Sequence, residues 1–311
     1  MAMAMTKNKK IKLITHDGSF HTDDLFAAAA LSLYFKKKNK SFEIIRTREA
    51  GRIKEGDFVF DVGGIYNEKK NRFDHHQKTF KKKRKNGIKY SSFGLIWKKF
   101  GKEITGSEEI AKKIEEILVE QIDAVDNGID VAEPLFENMI PLGIGDFFLV
   151  NSPTWKENRL SLNKIFLEQM ELAAIFLKRM IKVAKDNLAG EKIITNAYRK
   201  SKNKRIIKLK KNFSRFLIQK TLSRFREPLY VVYPSQYGKN WKIEAIVKNA
   251  NTMQSRKPFP KAWRGFMDND KKADKIIGIK GIIFSHPNGF LITLRSEEGA
   301  MKLAGLAIIK T

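Results

Sequence analysis

Apolar positions along this chain fall into two kinds of run. Ile11-Lys12-Leu13-Ile14-Thr15, Phe42-Glu43-Ile44-Ile45-Arg46 and Phe58-Val59-Phe60-Asp61-Val62 are short and rich in β-branched or aromatic residues, and each predicts a strand. The third is continuous and apolar, the signature of a strand buried on both faces of a parallel sheet. Between the first two, Asp24–Phe35 carries four successive alanines and predicts a closely packed helix, with Thr22 or Asp23 as its cap. Further helical patterns cover Ser91–Phe100 and Glu108–Asp123, and Asp126-Asn127-Gly128 supplies a turn. Strands and helices that alternate in this way predict an α/β domain with a mostly parallel sheet, over residues 1–156.

The second half has a different rhythm. Glu157–Leu188 predicts one long amphipathic helix, with Leu162, Ile165, Phe166, Met170, Ala173, Phe176, Leu177, Met180 and Val183 on one stripe. Ala189-Gly190 is then expected to stop or kink it, so residues 157–190 read as a helical connector. Pro228–Pro234 and Trp241–Val247 predict two strands around a turn at Gly238. Gly281–His286 and Gly289–Arg295 predict another pair around Pro287-Asn288, and Glu297–Ile309 closes the chain as a helix. Residues 191–311 therefore read as a smaller, mostly antiparallel α+β domain.

Composition narrows the class. Of 311 residues, 42% are hydrophobic, which is enough for real cores, and no apolar run approaches the roughly 18 residues needed to span a bilayer. The N-terminus places its small residues before its lysines, the reverse of a signal peptide, so the expectation is a cytoplasmic protein without a membrane partner. With no cysteine, a metal would have to be held by histidine and carboxylate. The net charge of +27, from 61 basic and 34 acidic residues, fits either a lysine-rich solvated surface or a polyanion partner. Lys81–Lys85 and Tyr198–Lys211 are the densest basic runs. Tyr198 and Phe213 flank the second, either as base-stacking groups or, the preferred reading, as core aromatics beside a solvated face.

The chemistry is concentrated. Four of the five histidines lie in the first 76 residues, two of them adjacent and preceded by an acid, Asp74-His75-His76. Taken together, His16, His21, Asp23, Asp61, Asp74, His75, His76 and Asp126 lie mostly at or just beyond the C-terminal ends of apolar runs. A parallel sheet gathers such positions along one edge. Imidazole and carboxylate without sulfur suit Mn²⁺, Mg²⁺, Fe²⁺ or Zn²⁺, and a shared carboxylate can bridge two ions about 3.5–4 Å apart. Asp61, at the end of the most buried strand, is the best bridging candidate.

The ordered motifs, His16…His21-Thr22-Asp23, Asp61-Val62-Gly63-Gly64, Asp74-His75-His76 and Asp126-Asn127-Gly128, resemble the DHH phosphoesterase superfamily. Within it the chain is most similar to the melanocyte-proliferating-gene family, regarded as metal-dependent hydrolases and as 3′–5′ RNA exonucleases. Asn151-Ser152-Pro153-Thr154-Trp155, Gln254-Ser255-Arg256, Ala262-Trp263-Arg264-Gly265 and Phe284-Ser285-His286 extend the likeness over nearly the whole chain. The resemblance implies one metal on His16, His21 and Asp61 and a second on Asp23, Asp61, His75 and Asp126. It also implies His76 toward the substrate phosphate and Asp74 behind it, so that Asp61, Asp74 and His76 form the catalytic group. In the smaller domain it implies Arg256, Arg264, His286 and Arg295 as phosphate-gripping residues, arginine forks being suited to that task. Two departures stand out. Many superfamily members have aspartate where His21 stands, and the close family usually reads Gly-Gly-His-Arg where this chain has Ile292-Thr293-Leu294-Arg295.

These readings converge on a metal-dependent phosphoesterase with two divalent ions, Mn²⁺ being the first expectation. The expected activity is 3′–5′ exonucleolytic cleavage of RNA or short oligonucleotides, and a homodimer is compatible with it. The alternatives are a phosphohydrolase of a small molecule such as pyrophosphate or a cyclic dinucleotide, and a non-catalytic basic RNA-binding protein.

Overall fold

The computed structural model describes residues 9–137, 139–157, 162–268 and 270–310. It divides into two compact units, one reaching to Lys185 and the other beginning at Asp186. The first unit contains, in chain order, β1 (Ile11–Thr15), α1 (Thr22–Lys37), β2 (Phe42–Arg46), α2 (Ala50–Lys54), β3 (Phe58–Phe60), β4 (Tyr66–Asn67), β5 (Arg72–Phe73), α3 (Ser92–Thr105), α4 (Glu108–Ile114), α5 (Glu120–Asp126), α6 (Ile144–Leu149) and the start of α7 (Leu162–Lys200). A π turn over Glu115–Val119 joins α4 to α5.

The five strands order as β2-β1-β3-β5-β4. β1 pairs in parallel with β2 and β3, β3 in parallel with β5, and only β4 runs antiparallel. The sheet is therefore mostly parallel, as the uniformly apolar third strand predicts. β3 is two residues shorter than its apolar run: it ends at Phe60, and Asp61 follows with a φ of 55°. The alanines of α1 are fully buried and let that helix pack closely against α3. Phe26 of α1 meets Phe93, Phe148 and Phe176 in edge or tilted contacts. The helix cap falls one residue earlier than expected. His21 is the extended N-cap, and its backbone N–H donates to Asp24 Oδ1 at 2.8 Å, half of a reciprocal cap.

The predicted start of the long helix, residues 158–161, lies outside the described residues. From Leu162 the helix runs unbroken to Lys200, so Ala189-Gly190 does not stop it. Glycine is there for close approach instead. A Cβ on Gly190 would lie 2.6 Å from Leu217 Cδ2. The division between the units falls inside this helix.

The second unit adds β6 (Ile206–Lys208), α8 (Arg215–Leu222), β7 (Tyr230–Pro234), β8 (Trp241–Ala245), α9 (Lys271–Ile277), β9 (Ile282–Ser285), β10 (Leu291–Leu294) and α10 (Glu297–Ile309), with strand order β6-β7-β8-β10-β9. All pairings but β6 with β7 are antiparallel. β6 lies inside the basic run Tyr198–Lys211, where lysines conceal the buried Ile206 and Ile207. One core sets Tyr230, Ile243, Ile292 and Leu294 against Ala300, Leu303 and Ala307 of α10. The other packs Val231 and Tyr233 on Ile194, Leu217 and Leu222. Among the described residues no helix is long and apolar enough to cross a membrane.

Phe26 is fully buried and makes three aromatic contacts, so Phe26→Ala should cost about 3–5 kcal/mol, read as a lowered denaturant midpoint at unchanged slope.

Candidate metal centre

The C-terminal ends of β1, β3 and β5 open into loops that carry His16, Asp61 and His75, while α1 presents Asp23 and α5 presents Asp126. The sheet thereby gathers the histidines and acids into three overlapping groups: His16, His21 and Asp61; Asp61, His75 and His76; and Asp23, His75 and Asp126. Within each group one ligand atom per residue lies within 4.8 Å of the others.

Asp61 joins the first two. Its Oδ2 is 3.2 Å from His16 Nε2 and its Oδ1 is 3.3 Å from His75 Nε2. The left-handed backbone at Asp61 is a conformation that aspartate tolerates better than most side chains, and such strained residues concentrate at functional sites. His75 Nε2 continues the chain of contacts, 3.3 Å from Asp126 Oδ2 and 4.0 Å from Asp23 Oδ2.

The histidine tautomers are constrained. His16 Nδ1 faces the Asp17 carbonyl at 2.9 Å, and a carbonyl only accepts, so Nδ1 holds the proton. In the neutral ring Nε2 is then a lone pair aimed at the carboxylates of Asp61 and Asp24, both at 3.2 Å. Lone pair against carboxylate is repulsive unless a cation stands between them. His75 Nε2 tells the same story: it is buried and makes no hydrogen bond, although three carboxylates surround it. Imidazole nitrogens and carboxylate oxygens with an unfilled bonding requirement are what a divalent ion needs, and this donor set fits one.

Electrostatics agree with the geometry. Burial pushes the Asp23 carboxyl well up, reinforced by Asp126 and Asp61. Burial likewise raises Asp24 to about 7, with the His16 ring pulling the other way. Burial works upward on Asp61 too, but the His16 and His75 rings beside it hold it below the ordinary carboxylate range. Asp74, buried beneath His76, accepts the His76 backbone N–H at 3.0 Å and lies 2.8 Å from ring Nδ1 through Oδ1, while its Oδ2 accepts Gly64 N–H at 2.6 Å. Held in this way, His76 leaves 63% of its side chain exposed on the wall of a cavity of about 340 Å³. His16, His21, Asp61, Gln77 and Arg48 share that wall.

The four residues expected to grip phosphate lie in the second unit. Arg256 donates to three backbone carbonyls, those of Arg226, Pro228 and Ser223, and acts as the organiser of a turn. Arg264 Nε donates to the Phe259 carbonyl, and Arg295 Nη2 to Asp268 at 2.8 Å. His286 Nδ1 accepts the Asn288 N–H at 3.1 Å, and its ring lies 4.2 Å from that of Phe290. Tyr198 stacks on Phe225 at 3.9 Å and donates to Glu227, and Phe213 packs on the core, so neither ring is a free platform for bases.

A family model described as "Uncharacterised protein family (UPF0160)", carrying the name MYG1 exonuclease, matches residues 12–308. The chain belongs to the MYG1 exonuclease family. It is 32% identical to the mouse MYG1 exonuclease (Mus musculus), over 93% of this chain and 83% of that protein. It is 31% identical to the human one (Homo sapiens), over 93% and 84% respectively. The MYG1 protein C694.04c of Schizosaccharomyces pombe is 29% identical over 97% of this chain and 98% of its own. Among solved structures, CDC45 from Entamoeba histolytica aligns at 12% identity and a TM-score of 0.27, covering 97% of this chain and 96% of its own. RecJ in complex with Mg²⁺ from Thermus thermophilus aligns at 9% identity and 0.26, covering 98% and 50%. At those scores neither likeness adds to the assignment.

The centre of this MYG1 family member includes residues that the motifs do not announce. Asp24, fully buried, reaches His16 as closely as Asp61 does. Arg48 lines the cavity and donates to Asp17 Oδ1 at 2.7 Å. Arg84 belongs to the basic run yet is only 8% exposed and pairs with Asp123, which is fully buried.

The raised groups set a pH dependence. A carboxyl whose folded-state pKa lies above its unfolded value of about 3.9 stabilises the fold fully below that value and loses the contribution as pH rises through the folded one. Asp24 at about 7 and Asp123 at about 6 act this way. His16, raised by Asp61 and Asp24 against its burial, and His76, raised first by Asp74, lose stability in the same direction above about pH 6.5. The lowered Asp61 and Asp74 act oppositely, but only below about pH 4. Stripped of metal, the protein should therefore melt lower at pH 8 than at pH 5. Saturating Mn²⁺ at pH 8, at about 100 times its Kd, should restore roughly 2.7 kcal/mol. A stripped protein whose melting temperature climbs between those pH values, or ignores Mn²⁺, would contradict this account.

Proposed function

We propose that this chain is a metal-dependent phosphodiesterase acting as a 3′–5′ exonuclease on RNA or short oligonucleotides. The observation that carries the reading is the division of Asp61 between two histidines, Oδ2 toward His16 and Oδ1 toward His75, with Asp23 and Asp126 beyond. One carboxylate between two nitrogen-bearing clusters suits a bridged pair of divalent ions. His16, His21 and Asp61 would hold one, and Asp23, Asp61, His75 and Asp126 the other, with Mn²⁺ the first choice. Such a pair, when bound, supplies Lewis acidity to water and to the phosphate and offsets charge on the attacking and leaving oxygens.

The chain's own groups do the rest. Asp74 fixes the His76 ring through Nδ1 and favours its protonated form, in which Nε2–H can donate to a phosphate oxygen. Arg48, 61% exposed at the cavity wall, offers a guanidinium to a phosphate on the His16 side. A cavity of about 340 Å³ accommodates a single terminal nucleotide more readily than a duplex, which supports attack at a chain end. Exposed Lys81, Lys82, Lys83 and Lys85 would track the nucleic-acid backbone, and Arg256, Arg264, His286 and Arg295 of the second unit are further candidates for gripping it. The membership of a family whose mammalian relatives carry the name exonuclease points the same way.

The test is turnover of end-labelled single-stranded RNA with Mn²⁺. Wild type should release mononucleotides from the 3′ end, and Asp61→Ala should abolish release. Arg48→Ala should raise KM several-fold with a smaller change in kcat, because its contact is made to bound substrate as well as in the transition state. Binding should weaken steeply with salt. RNA binding that persists with no cleavage, indifferent to Asp61→Ala, would overturn the enzymatic reading, and a salt slope near zero would overturn the nucleic-acid reading.

A further inference from the structure

Ser91 stands at the N-cap of α3, the usual place for a serine to bond its own helix, yet its hydroxyl makes no such bond. It contacts Asp23 Oδ1 and Asp123 Oδ1 instead. The first-turn amides of α3 face the same two acids. Phe93 N–H donates to Asp23 Oδ1 at 2.7 Å, Ser92 N–H to Asp23 Oδ2 at 3.2 Å, and Gly94 N–H to Asp123 Oδ1 at 3.1 Å. Amides that a helix leaves unpaired at its start are thus satisfied by carboxylates from α1 and α5.

Asp123 is held from behind. Arg84 Nη1 donates to Asp123 Oδ2, and Arg84 Nε lies 3.2 Å from Glu115 and 3.6 Å from Glu120. Its guanidinium carbon also sits 4.1 Å from the centroid of the Tyr90 ring. A cation that is 8% exposed and bound on so many sides is a fixed point. Space is equally fixed, since a Cβ on Gly94 would fall 2.0 Å from Asp123 Oδ2. Asp123 stands one helical turn before Asp126, and Asp23 and Asp126 flank His75.

We infer that Arg84, Asp123 and Ser91 form a buried positioning relay that sets Asp23 and Asp126 for the metal site around His75. The inference rests on the dimetal reading above. None of the three reaches the cavity wall, so they act through the ligands and touch neither substrate nor the reacting atoms. The relay is one-sided: it serves Asp23 and Asp126, while His16 is held by the Asp17 carbonyl.

Isothermal titration of the full chain with Mn²⁺, with circular dichroism and melting of the same samples, tests this. In Ser91→Ala the weaker or stronger of the two sites should lose about 10–100-fold in affinity while the other keeps its wild-type value, a range usual for groups that orient a ligand. Arg84→Ala should show the same selective loss, and Arg84→Lys, which keeps the charge and loses the fork, should recover part of it. A merely structural role predicts otherwise: both sites weakened together, in step with the melting temperature. That result would overturn the relay, as would unchanged affinities in folded Ser91→Ala. Should Arg84→Ala not fold, Ser91→Ala decides alone, since its hydroxyl caps no helix. A wild-type chain that binds no Mn²⁺ would overturn the dimetal reading and the relay together, whereas failure confined to the variants would overturn the relay only.

Discussion

Burying negative charge in one place is the constraint on which this structure depends. Asp23, Asp24, Asp61, Asp74 and Asp123 are all 5% exposed or less. A carboxylate taken out of water must be repaid in donors or cations, since an unpaired one costs several kcal/mol. Each of these acids has been given donors from a specific source. Asp23 and Asp123 draw on the start of α3, Asp74 on the Gly64 and His76 amides, Asp24 on the His21 amide, and Asp61 on the Ser92 hydroxyl. The donors are not surplus to the fold; they are the ends of its helices and loops. The same carboxylates that make a cation site therefore also fix how α1, α3 and α5 meet.

The site and the surface carry opposite signs. The chain as a whole carries a net charge of +27 while its first unit buries a cluster of acids, and the two have different ranges of action. Surface lysines act over roughly a Debye length, about 8–10 Å at ordinary salt, and raise the local concentration of a polyanion. Inside the cavity the acids alone would repel phosphate. The contradiction disappears if cations occupy the histidine and carboxylate groups. Under the proposed function, lysines would serve capture, the acids would hold metal, and Arg48 on the cavity wall would meet the phosphate.

Which parts were legible in the sequence follows from how local each signal is. The parallel strands and the closing helix show as hydrophobic periodicity, so their positions are readable within a few residues. His16, His75, His76, Asp61 and Asp74 are readable because they stand at or just beyond strand ends, and His21 and Asp126 because they fall at the two ends of helices. Asp24 hides behind Asp23, where it looks like an ordinary acid in a first helical turn. Arg84 hides in a lysine run, and its burial against Asp123, Glu115 and Tyr90 distinguishes it from Lys83 and Lys85. β6 hides in another such run, its two buried isoleucines too few to set a period. Gly190 misleads for a different reason: a glycine reads as a break from sequence, whereas here Leu217 needs the space. In each case the deciding contact comes from a residue distant in the chain.

Asp61 shows how such a distant contact and local backbone geometry depend on one another. A residue that continued β3 would send its side chain to one face of the sheet, toward one neighbour. With φ at 55°, Asp61 leaves the strand direction, and its two oxygens part toward His16 after β1 and His75 after β5. Those strands lie on either side of β3, so only a side chain at the end of the central strand can address both. The backbone is tethered there as well, Asp61 N–H reaching the Phe73 carbonyl at 3.4 Å, while Gly63 and Gly64 continue the turn at positive φ. The turn brings Gly64 N–H onto Asp74, which in turn holds His76. Strain at one aspartate is thus the means by which a three-strand edge becomes a single centre. A residue that could not take the left-handed conformation would lose the shared carboxylate even if its side chain were still acidic.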